Sequence, residues 1–315
     1  MSSPMQYRNV DYQIEKLKTQ NLTIKDEKTA KQLLSTCGYS NLIKGYRAPY
    51  VFPFENSLRY RDGVTFEQIY SLYLLDKNLR SAVIASMLDL EEHIKALSAE
   101  VLAEQFGART EDYLQFRNYS NKRKRKVQFT LKGILDKLNE TLKTSRDPIH
   151  RCMEKHGDVP PWILFRGIYF STMVNFIDQF KVKEQNILAH KLFDPSLTRL
   201  SDQQLRFLMM DSLFICMEMR NLAAHGGRIY NHTIESRFRK EEIFGIENTS
   251  EIEGFSLLLS ILNSFYYKDP FNRLSIALNN ELNRHCKAYP QDVTYLAEIL
   301  KINIIEEPID DTSSH

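Results

Sequence analysis

Three polar residues near the end of one predicted helix have types and a spacing suited to phosphodiester chemistry. Asn221 and His225 are four residues apart, so on a helix they lie on one face about one turn apart, and Arg220 lies about 100° round the axis from Asn221. A histidine can exchange a proton near neutral pH, and an arginine can hold a phosphate through paired hydrogen bonds. This trio suits RNA cleavage without a metal, in which a base takes a proton from a ribose 2′-hydroxyl and an acid protonates the leaving oxygen.

One copy of the trio supplies too few groups for both proton transfers, so this chemistry predicts a two-fold dimer that brings two helix ends together. The helix that carries the trio starts at the N-cap Ser201 and stops at a Gly-Gly pair. The negative end of its dipole favours the protonated imidazole of His225. Two structural interpretations stay open: Arg220 pairs with Glu218 or another carboxylate, or His225 only caps the helix carbonyls.

The spacing of an arginine and a histidine five positions apart is not specific by itself, because Arg151 and His156 repeat it. That second pair lies in a short polar segment between prolines, where the sequence predicts no long helix to position it. We therefore place the candidate site on the longer helix and not at the second pair.

The elements that position these residues are predicted to be helices. The chain has 315 residues, 43% of them hydrophobic, which is enough for one large or two medium cores. Only 11 residues are glycine, about half of the usual share of about 7%, and tight hairpins and phosphate-cradling loops depend on glycine. Apolar residues recur with helical spacing, whereas strand-type alternation is hard to find. We therefore predict an all-α fold, a helical bundle with additional N-terminal helices.

Apolar spacing and capping signals give the helix positions. The predicted helices are 11–18, 26–37, 65–106 (one long helix or two with a kink), 122–143, 162–180, 202–225, 250–267, 272–286 and 290–302. The Gly-, Pro- and Tyr-rich stretch 38–53 is predicted to be irregular, and 148–161 to be a connection. The predicted domains are N-terminal helices with the irregular segment over 1–64, a helical core over 65–302 with a candidate seam near 120–160, and a flexible acidic, Ser-rich tail over 303–315.

Positive charge is concentrated in one run. With 42 basic and 40 acidic residues the formal charge is +2, which argues against broad electrostatic attraction to nucleic acid. The basic run consists of Lys122, Arg123, Lys124, Arg125 and Lys126, and it follows Tyr113, Phe116, Arg117 and Tyr119. We predict an RNA-binding surface in which these cations contact phosphates and the rings stack on bases. The alternative is a solvated helix start with the rings in the core.

Two further groups of charged residues have a functional and a structural interpretation. The first group, Arg228, Arg237, Arg239 and Lys240, either widens a positive rim around the trio, with Arg228 as a further predicted RNA-binding residue, or pairs with Glu235, Glu241 and Glu242. The second group, Arg80, Glu91, Glu92 and His93, either places a carboxylate beside the trio or forms surface ion pairs along the long helix.

Several classes of site and location are not expected. The four cysteines form no C-x-x-C pair and the histidines lack metal-binding spacing, so we expect no metal and no cofactor. We see neither a secretory signal nor an apolar run of the roughly 20 residues that a spanning helix needs. The expectation is a cytoplasmic protein without a membrane partner.

The trio and several other segments resemble known families. The segment 220–231, with Arg-Asn and, after three further residues, His225 and a glycine turn, resembles the Arg-Asn-x-x-x-His motif of the HEPN superfamily. The rest of the chain resembles the D/F-like group of the bacterial Abi abortive-infection proteins. The resembling segments are 38–40, 45–47, 65–70, 75–80, 90–95, 161–162 and 173–176, and together they cover roughly residues 10–285.

The resemblance implies a HEPN-type helical fold, usually dimeric, and a metal-independent endoribonuclease that leaves a cyclic phosphate. His225 matches the catalytic histidine, Arg220 the essential arginine, and Asn221 the polar residue that orients them. It also implies a phage-defence or toxin role, with an antitoxin or a small noncoding RNA as a further partner. Our first hypothesis is a homodimeric nuclease that cuts host or phage RNA. The alternatives are a non-catalytic RNA-binding or regulatory protein, and a structural bundle with Arg220 in a buried ion pair.

Overall fold

The fold is all-α, as the sequence predicts, in a computed structural model that describes residues 7–52, 58–144, 146–197, 199–244 and 253–304. The α-helices are α1 (Val10–Thr19), α2 (Glu27–Cys37), α3 (Phe66–Phe106), α4 (Thr110–Tyr113), α5 (Leu131–Leu142), α6 (Ile149–His156), α7 (Pro161–Leu164), α8 (Phe170–Asp178), α9 (Val182–Leu192), α10 (Asp202–Ala224), α11 (Lys240–Phe244), α12 (Gly254–Ser264), α13 (Asp269–Ala288) and α14 (Val293–Leu300). Two short antiparallel strands, β1 (Val51–Phe52) and β2 (Arg59–Tyr60), pair Val51 with Tyr60 and Phe52 with Arg59.

The chain divides into two compact units. The terminal unit comprises Met1–Arg80 and Ala277–His315, and the central unit comprises Ser81–Ile276. The terminal unit therefore contains α1, α2, the strand pair, the first turns of α3, the end of α13 and α14. The central unit contains the rest of α3, α4 to α12 and the start of α13, and it carries both the trio and the basic run. The boundaries predicted at residues 64 and 302 stay a prediction.

The terminal unit has a buried polar network beside its apolar core. Asp292, which precedes α14, is only 5% exposed. Its carboxylate accepts hydrogen bonds from the Tyr50 hydroxyl at 2.7 Å and from Gln68 Nε2 at 2.9 Å. The Nε2 atom of His285, a fully buried ring, lies 2.9 Å from the same carboxylate, and its Nδ1 lies 2.9 Å from Ser71 Oγ. These groups come from positions far apart in the sequence, so the network joins several elements of the terminal unit.

The helix α3 runs unbroken over 41 residues. Thr65 Oγ1 accepts a hydrogen bond from the Gln68 backbone N–H at 3.1 Å, which caps the first turn as predicted. The helix ends at Phe106, and Gly107 follows with a φ of +106° that favours glycine. Of the two alternatives for this segment, the single helix is correct.

The helix α10 positions the trio, and its sequence explains its burial. Ser201 and Gln204 form a capping box, in which Ser201 Oγ accepts from the Gln204 N–H at 3.3 Å and Gln204 Oε1 accepts from the Ser201 N–H at 2.9 Å. One stripe of side chains with helical spacing is buried throughout: Leu205, Leu208, Met209, Ser212, Cys216, Met219 and Ala223. The helix packs against α8, α9, α11 and α12. Because each buried apolar side chain contributes about 1.5–3 kcal/mol, this packing fixes the helix end that carries the trio.

The prediction of a helix over 122–143 is wrong at its start. The five basic residues are irregular, and α5 begins at Leu131. Thr130 caps it by accepting from the Gly133 N–H at 3.1 Å. Asn121 takes a left-handed φ of +50° just before the run, and closely spaced like charges destabilise a helix. The polar, charged residues therefore stay outside the helix, and only the amphipathic part of the segment is helical.

Three other predictions about helices are wrong. The segment 162–180 is not one helix, because α7 ends at Leu164, a 3₁₀ turn covers Phe165–Gly167, and α8 begins at Phe170. The segment 148–161, predicted to be a connection, contains α6, and α9 lies where no helix is predicted. At eight residues α6 carries too few apolar repeats to be seen as periodic in the sequence.

Of three further predicted segments, one contains more regular structure than expected and two lie partly outside the described residues. The stretch predicted to be irregular contains a π-helical turn, Ser40–Lys44, a 3₁₀ turn, Ala48–Tyr50, and the strand β1. The tail predicted over 303–315 lies outside the described residues from 305 onward. The helix predicted from residue 250 begins, within the described part, at Gly254.

The described part of the chain contains neither a candidate membrane span nor a candidate metal cluster. In these ranges no helix combines the length and the apolar character needed to cross a bilayer. Nor do three His, Cys, Asp or Glu side chains come together, within the same ranges, in a group that could hold a metal ion.

Candidate functional site

A glycine cap ends α10 and presents His225 at the surface. The backbone N–H of His225 donates to the Asn221 carbonyl at 3.0 Å. Gly226 follows with a φ of +74°, and the N–H of Gly227 donates to the Leu222 carbonyl at 2.9 Å. This is a Schellman motif, in which a left-handed residue turns the chain off the helix. A Cβ on Gly227 would lie 2.1 Å from Leu222 Cδ1, so the turn that follows the trio takes glycine at both positions.

The trio combines one exposed and two half-buried side chains at this helix end. His225 is exposed, and Arg220 and Asn221 are half-buried. Arg220 Nη1 donates to Asn221 Oδ1 over 3.4 Å, so the guanidinium reaches round the helix to the face of Asn221. Among the described residues Arg220 has no carboxylate partner, and the imidazole of His225 has no hydrogen-bond partner. The structure thus leaves a guanidinium and an imidazole available on the same helix end.

Glu218, which the sequence offers as a partner for Arg220, instead holds the loop that follows the trio. Its Oε1 lies 2.7 Å from His232 Nε2 and accepts from the Glu235 N–H at 2.8 Å, and its Oε2 accepts from the Ser236 N–H at 2.7 Å. Burial raises the pKa of the Glu218 carboxyl, but these hydrogen bonds outweigh burial and hold that pKa below its ordinary value. A single carboxylate therefore ties the loop to α10.

We expect Glu218→Ala to release this loop. Two backbone N–H groups and an imidazole lose a charged acceptor, and a hydrogen bond to a charged group contributes about 1.5–3 kcal/mol, so the free energy of unfolding should fall by about 2–4 kcal/mol. Trypsin should then cut faster after Arg237, which is exposed in the loop. Urea unfolding and limited proteolysis measure the two effects.

The matched control for that loop is Glu235→Ala. Glu235 is an exposed carboxylate in the same loop, and its described bond to Glu218 uses the backbone N–H, which the substitution keeps. Its stability and its rate of tryptic cleavage should match those of the parent. Equal behaviour of the Glu218 and Glu235 variants would contradict the role assigned to Glu218.

A buried ion pair, which the sequence does not predict, holds α10 to the segment before α11. Asp211 is 4% exposed. Arg239 donates to its two oxygens, from Nε to Oδ2 at 2.9 Å and from Nη2 to Oδ1 at 2.5 Å. The guanidinium also lies 4.0 Å from the centroid of the Phe207 ring. A lone acidic residue inside an apolar stretch of helix is the sequence signal that could have indicated this pair, since buried charges need partners.

The positive rim predicted around the trio is largely neutralised by such pairs. Arg239 is committed to Asp211, and Arg237 lies 2.8 Å from Glu242. Lys240 lies 3.9 Å from Glu253. Arg228, the first of the four cations and the nearest to the glycine cap in the sequence, is exposed. Pairing therefore describes Arg237, Arg239 and Lys240, although Asp211 and Glu253 are not among the partners that the sequence suggests.

Ion pairs and a hydrogen bond hold the start of the basic run against the end of α8. Lys122 Nζ lies 3.1 Å from Asp178 Oδ1, and Lys124 Nζ pairs with the other carboxylate oxygen. The backbone N–H of Lys122 donates to Gln179 Oε1 at 2.7 Å, and Lys124 Nζ also lies 5.4 Å from the centroid of the Phe214 ring on α10. Burial raises the pKa of Asp178, yet the bonds from the two lysines hold it below its ordinary value.

Three cations of the basic run remain available. Arg123, Arg125 and Lys126 are exposed, and among the described residues their side chains have no ion-pair partner. Two of the three aromatic residues before the run do not share this exposure, because Tyr113 and Tyr119 are 0% and 5% exposed and belong to the core, whereas Phe116 is 49% exposed. The prediction that these two tyrosines stack on bases is therefore wrong.

A family model described as Abi-like protein matches residues 32–231. The match covers more than half of the chain, and it includes the basic run and the whole of the trio with its glycine cap. The chain belongs to the Abi-like family. Membership indicates a role in abortive infection, a bacterial defence against phage. No curated protein and no solved structure matches this Abi-like protein.

In this Abi-like protein two of the charged residues of α3 form ion pairs along the helix, as the structural interpretation predicts, but these pairs are largely buried and not at the surface. Glu91 lies 2.7 Å from Lys95 one turn on, and Arg80 lies 3.8 Å from Asp76. His93 is half-buried with its ring centroid 5.0 Å from that of Tyr267, and burial lowers its pKa. The contacts of the described residues place none of the predicted α3 carboxylates beside the trio.

Proposed function

We propose that this Abi-like protein is a metal-independent endoribonuclease of the HEPN type that acts in abortive infection. One observation carries the proposal. His225 and Arg220 share the fixed end of a buried helix, where His225 is exposed and Arg220 is half-buried. Arg220 has no carboxylate partner among the described residues. An accessible imidazole and a guanidinium that no carboxylate occupies can bind a ligand from solvent. A phosphodiester is a ligand that requires both a proton carrier and a cation.

Each member of the trio has a role that follows from its chemistry. His225 takes the proton of a ribose 2′-hydroxyl, and the freed oxygen attacks the adjacent phosphorus. The bond from phosphorus to the 5′-oxygen of the next nucleotide breaks, which leaves a 2′,3′-cyclic phosphate and a 5′-hydroxyl. Arg220 stabilises the negative charge that grows on the phosphate, and Asn221 positions the guanidinium through the bond described above.

The second proton transfer needs a second acid, and we propose that a second copy of the chain supplies it. Its His225 protonates the departing 5′-oxygen, so that two trios form one site in a two-fold homodimer. The rate per chain should then rise with protein concentration through the same range in which sedimentation shows dimers forming. A rate per chain that does not change across that range would contradict a shared site.

Cleavage in the absence of metal tests the activity. The purified protein is incubated with mixed RNA in excess EDTA, and the new ends are analysed chemically. We expect 2′,3′-cyclic phosphates on one side of each cut and 5′-hydroxyls on the other. Absence of cutting in EDTA with cutting in Mg²⁺, or 5′-phosphate ends, would contradict the mechanism.

A second candidate function is RNA binding without cleavage, and the three available cations of the basic run favour it. Cations supply most of the affinity of proteins for nucleic acid, whatever happens at the trio. In this case the protein would sequester an RNA or regulate through it. A gel shift across many RNAs without any product would support this function over the nuclease.

We expect the available cations of the basic run to set the salt dependence of RNA binding. The triple variant Arg123→Gln, Arg125→Gln and Lys126→Gln removes three phosphate contacts. The slope of log K against log salt should become shallower by about 2 for single-stranded RNA, because each contact contributes about 0.7. Fluorescence anisotropy of a labelled RNA at several salt concentrations measures the slope.

The control for the triple variant removes the same charge elsewhere. Lys16, Lys25 and Lys28 are exposed lysines of the terminal unit, and changing all three to Gln should leave the slope near that of the parent. An equal loss in both triple variants would mean that overall charge, and not the basic run, controls binding.

A further inference from the structure

A cavity of about 510 Å³ opens in the central unit, and it is lined by described residues outside α10 and the basic run. Residues of α3 and α5, the start of α6 and the turn between α7 and α8 line it. Its volume is within the range of about 300–1,000 Å³ that is usual for small-molecule sites. Three side chains on its wall, Arg146, Arg166 and Tyr169, have the types that nucleotides require.

The two arginines carry positive charge that no described carboxylate neutralises. The acidic residues of the wall already have cation partners: Glu91 with Lys95 at 2.7 Å, Glu140 with Lys137 at 3.5 Å, and Asp147 with Arg151 at 3.2 Å. Arg146 and Arg166 are exposed, and within the described ranges neither forms an ion pair. A guanidinium binds phosphate through two parallel hydrogen bonds. The wall therefore offers two sites for an anionic group.

An exposed aromatic ring lies on the same wall. Tyr169 is 72% exposed, although the residue that follows it, Phe170 at the start of α8, is buried. Its backbone carbonyl accepts from the Met173 N–H at 3.0 Å, so α8 fixes the base of the side chain. A ring held at a surface beside cations can stack on a base, and such stacking strengthens binding of single strands roughly 5- to 150-fold per base.

The shape of the cavity is fixed by close packing behind this wall. Lys95 Nζ donates to the Ile168 carbonyl at 2.6 Å, and its side chain is only 14% exposed. A Cβ on Gly167 would lie 2.7 Å from both Ile149 Cδ1 and Thr141 Cγ2. Glycine therefore lets the turn pack against α5 and α6. Arg166 precedes this glycine and Tyr169 follows it, and both line the cavity.

We propose that this cavity binds a nucleotide unit, with its phosphate on Arg146 and Arg166 and its base stacked on Tyr169. The unit is either a free nucleotide or one nucleotide of an RNA strand, since both present the same phosphate and ring. The proposal goes beyond the cleavage proposed for the trio. It concerns binding by other residues, so either proposal can fail without the other.

The single tryptophan of the chain lies close in the sequence to the wall residue Arg166, so we expect its fluorescence to respond when the cavity binds a ligand. Trp162 is 51% exposed and lies in α7, four residues before Arg166. The full chain is titrated with AMP, UMP, inorganic phosphate and an RNA of about ten nucleotides, a length in the range of single-strand sites, while Trp162 fluorescence is followed. We expect nucleotides to bind more tightly than phosphate. Saturation by AMP or UMP identifies a free nucleotide as the ligand, and saturation by the RNA alone identifies a strand.

Variants of the wall separate the two contacts. Arg146→Ala combined with Arg166→Ala should weaken binding about tenfold or more, because charge-assisted bonds to phosphate are lost. Tyr169→Ala should weaken it about fivefold or more, whereas Tyr169→Phe, which keeps the ring, should change it by less than about twofold. Mononucleotides contain no phosphodiester bond, so these values do not depend on whether the protein cuts RNA.

The controls are an arginine and a tyrosine of similar exposure elsewhere in the central unit. Arg199 is exposed and Tyr266 is 65% exposed, and neither lines the cavity. Arg199→Ala and Tyr266→Ala should bind every probe as the parent does. The proposal is overturned if no probe saturates, if the wall variants keep the parent's affinity, or if the controls lose as much as the wall variants.

Discussion

His225→Ala is expected to abolish RNA cleavage and leave the fold unchanged. The substitution removes the proposed proton carrier, and loss of a general acid or base lowers rates about 10²–10⁴-fold. The fold should survive because the imidazole is exposed and has no described hydrogen bond, while the bond that caps α10 uses the backbone N–H of the same residue. Initial rates in EDTA buffer measure the loss, and thermal unfolding measures the stability.

The chain contains its own control for this result. His156 is an exposed histidine at the end of α6, five residues after Arg151, so it has the same spacing and the same place on a helix. His156→Ala should cut RNA at the rate of the parent. If His225→Ala also cut at that rate, the nuclease proposal would be wrong. If both variants lost activity equally, the loss could not be assigned to the trio.

The sequence locates this candidate site because everything that defines it is local. The capping box at Ser201, the buried stripe of α10 and the glycine turn at 226–227 lie within one run of residues. Spacing along one helix also fixes which side chains share a face. The position of the trio at the end of a buried helix could therefore be predicted without knowledge of the neighbouring elements.

The partners of the charged residues could not be predicted in the same way. Glu218 binds a loop 17 and 18 residues further on, and Asp211 binds Arg239 across 28 residues. No helical or strand period connects such positions, so the sequence offers only nearby carboxylates as candidates. The start of α5 escapes prediction for a related reason, because the basic run is held outside the helix by contacts with Asp178.

Asp292→Ala is expected to cause a large loss of stability in the terminal unit. The substitution leaves the Tyr50 hydroxyl, the Gln68 amide and His285 buried without their shared acceptor. Removing one partner from a buried, charged network costs about 3–5 kcal/mol. Urea unfolding measures the loss, and hydrogen exchange locates it in the terminal unit. Asp62→Ala, at an exposed carboxylate of the same unit, should cost less than about 1 kcal/mol.

The loss of unfolding free energy caused by Asp292→Ala should also depend on pH. The contacts of Asp292 determine whether this loss grows or shrinks on acidification. Burial raises the pKa of Asp292, but the bonds from His285, Tyr50 and Gln68 outweigh burial and hold it below its ordinary value. A carboxyl with a lowered pKa in the folded state stabilises the fold above its unfolded pKa of about 3.9. That contribution is lost as the pH falls through the folded pKa. The gap in unfolding free energy between parent and variant should therefore be constant above about pH 5 and should narrow below about pH 4. A gap that widens on acidification would mean that the network is held by the protonated carboxyl.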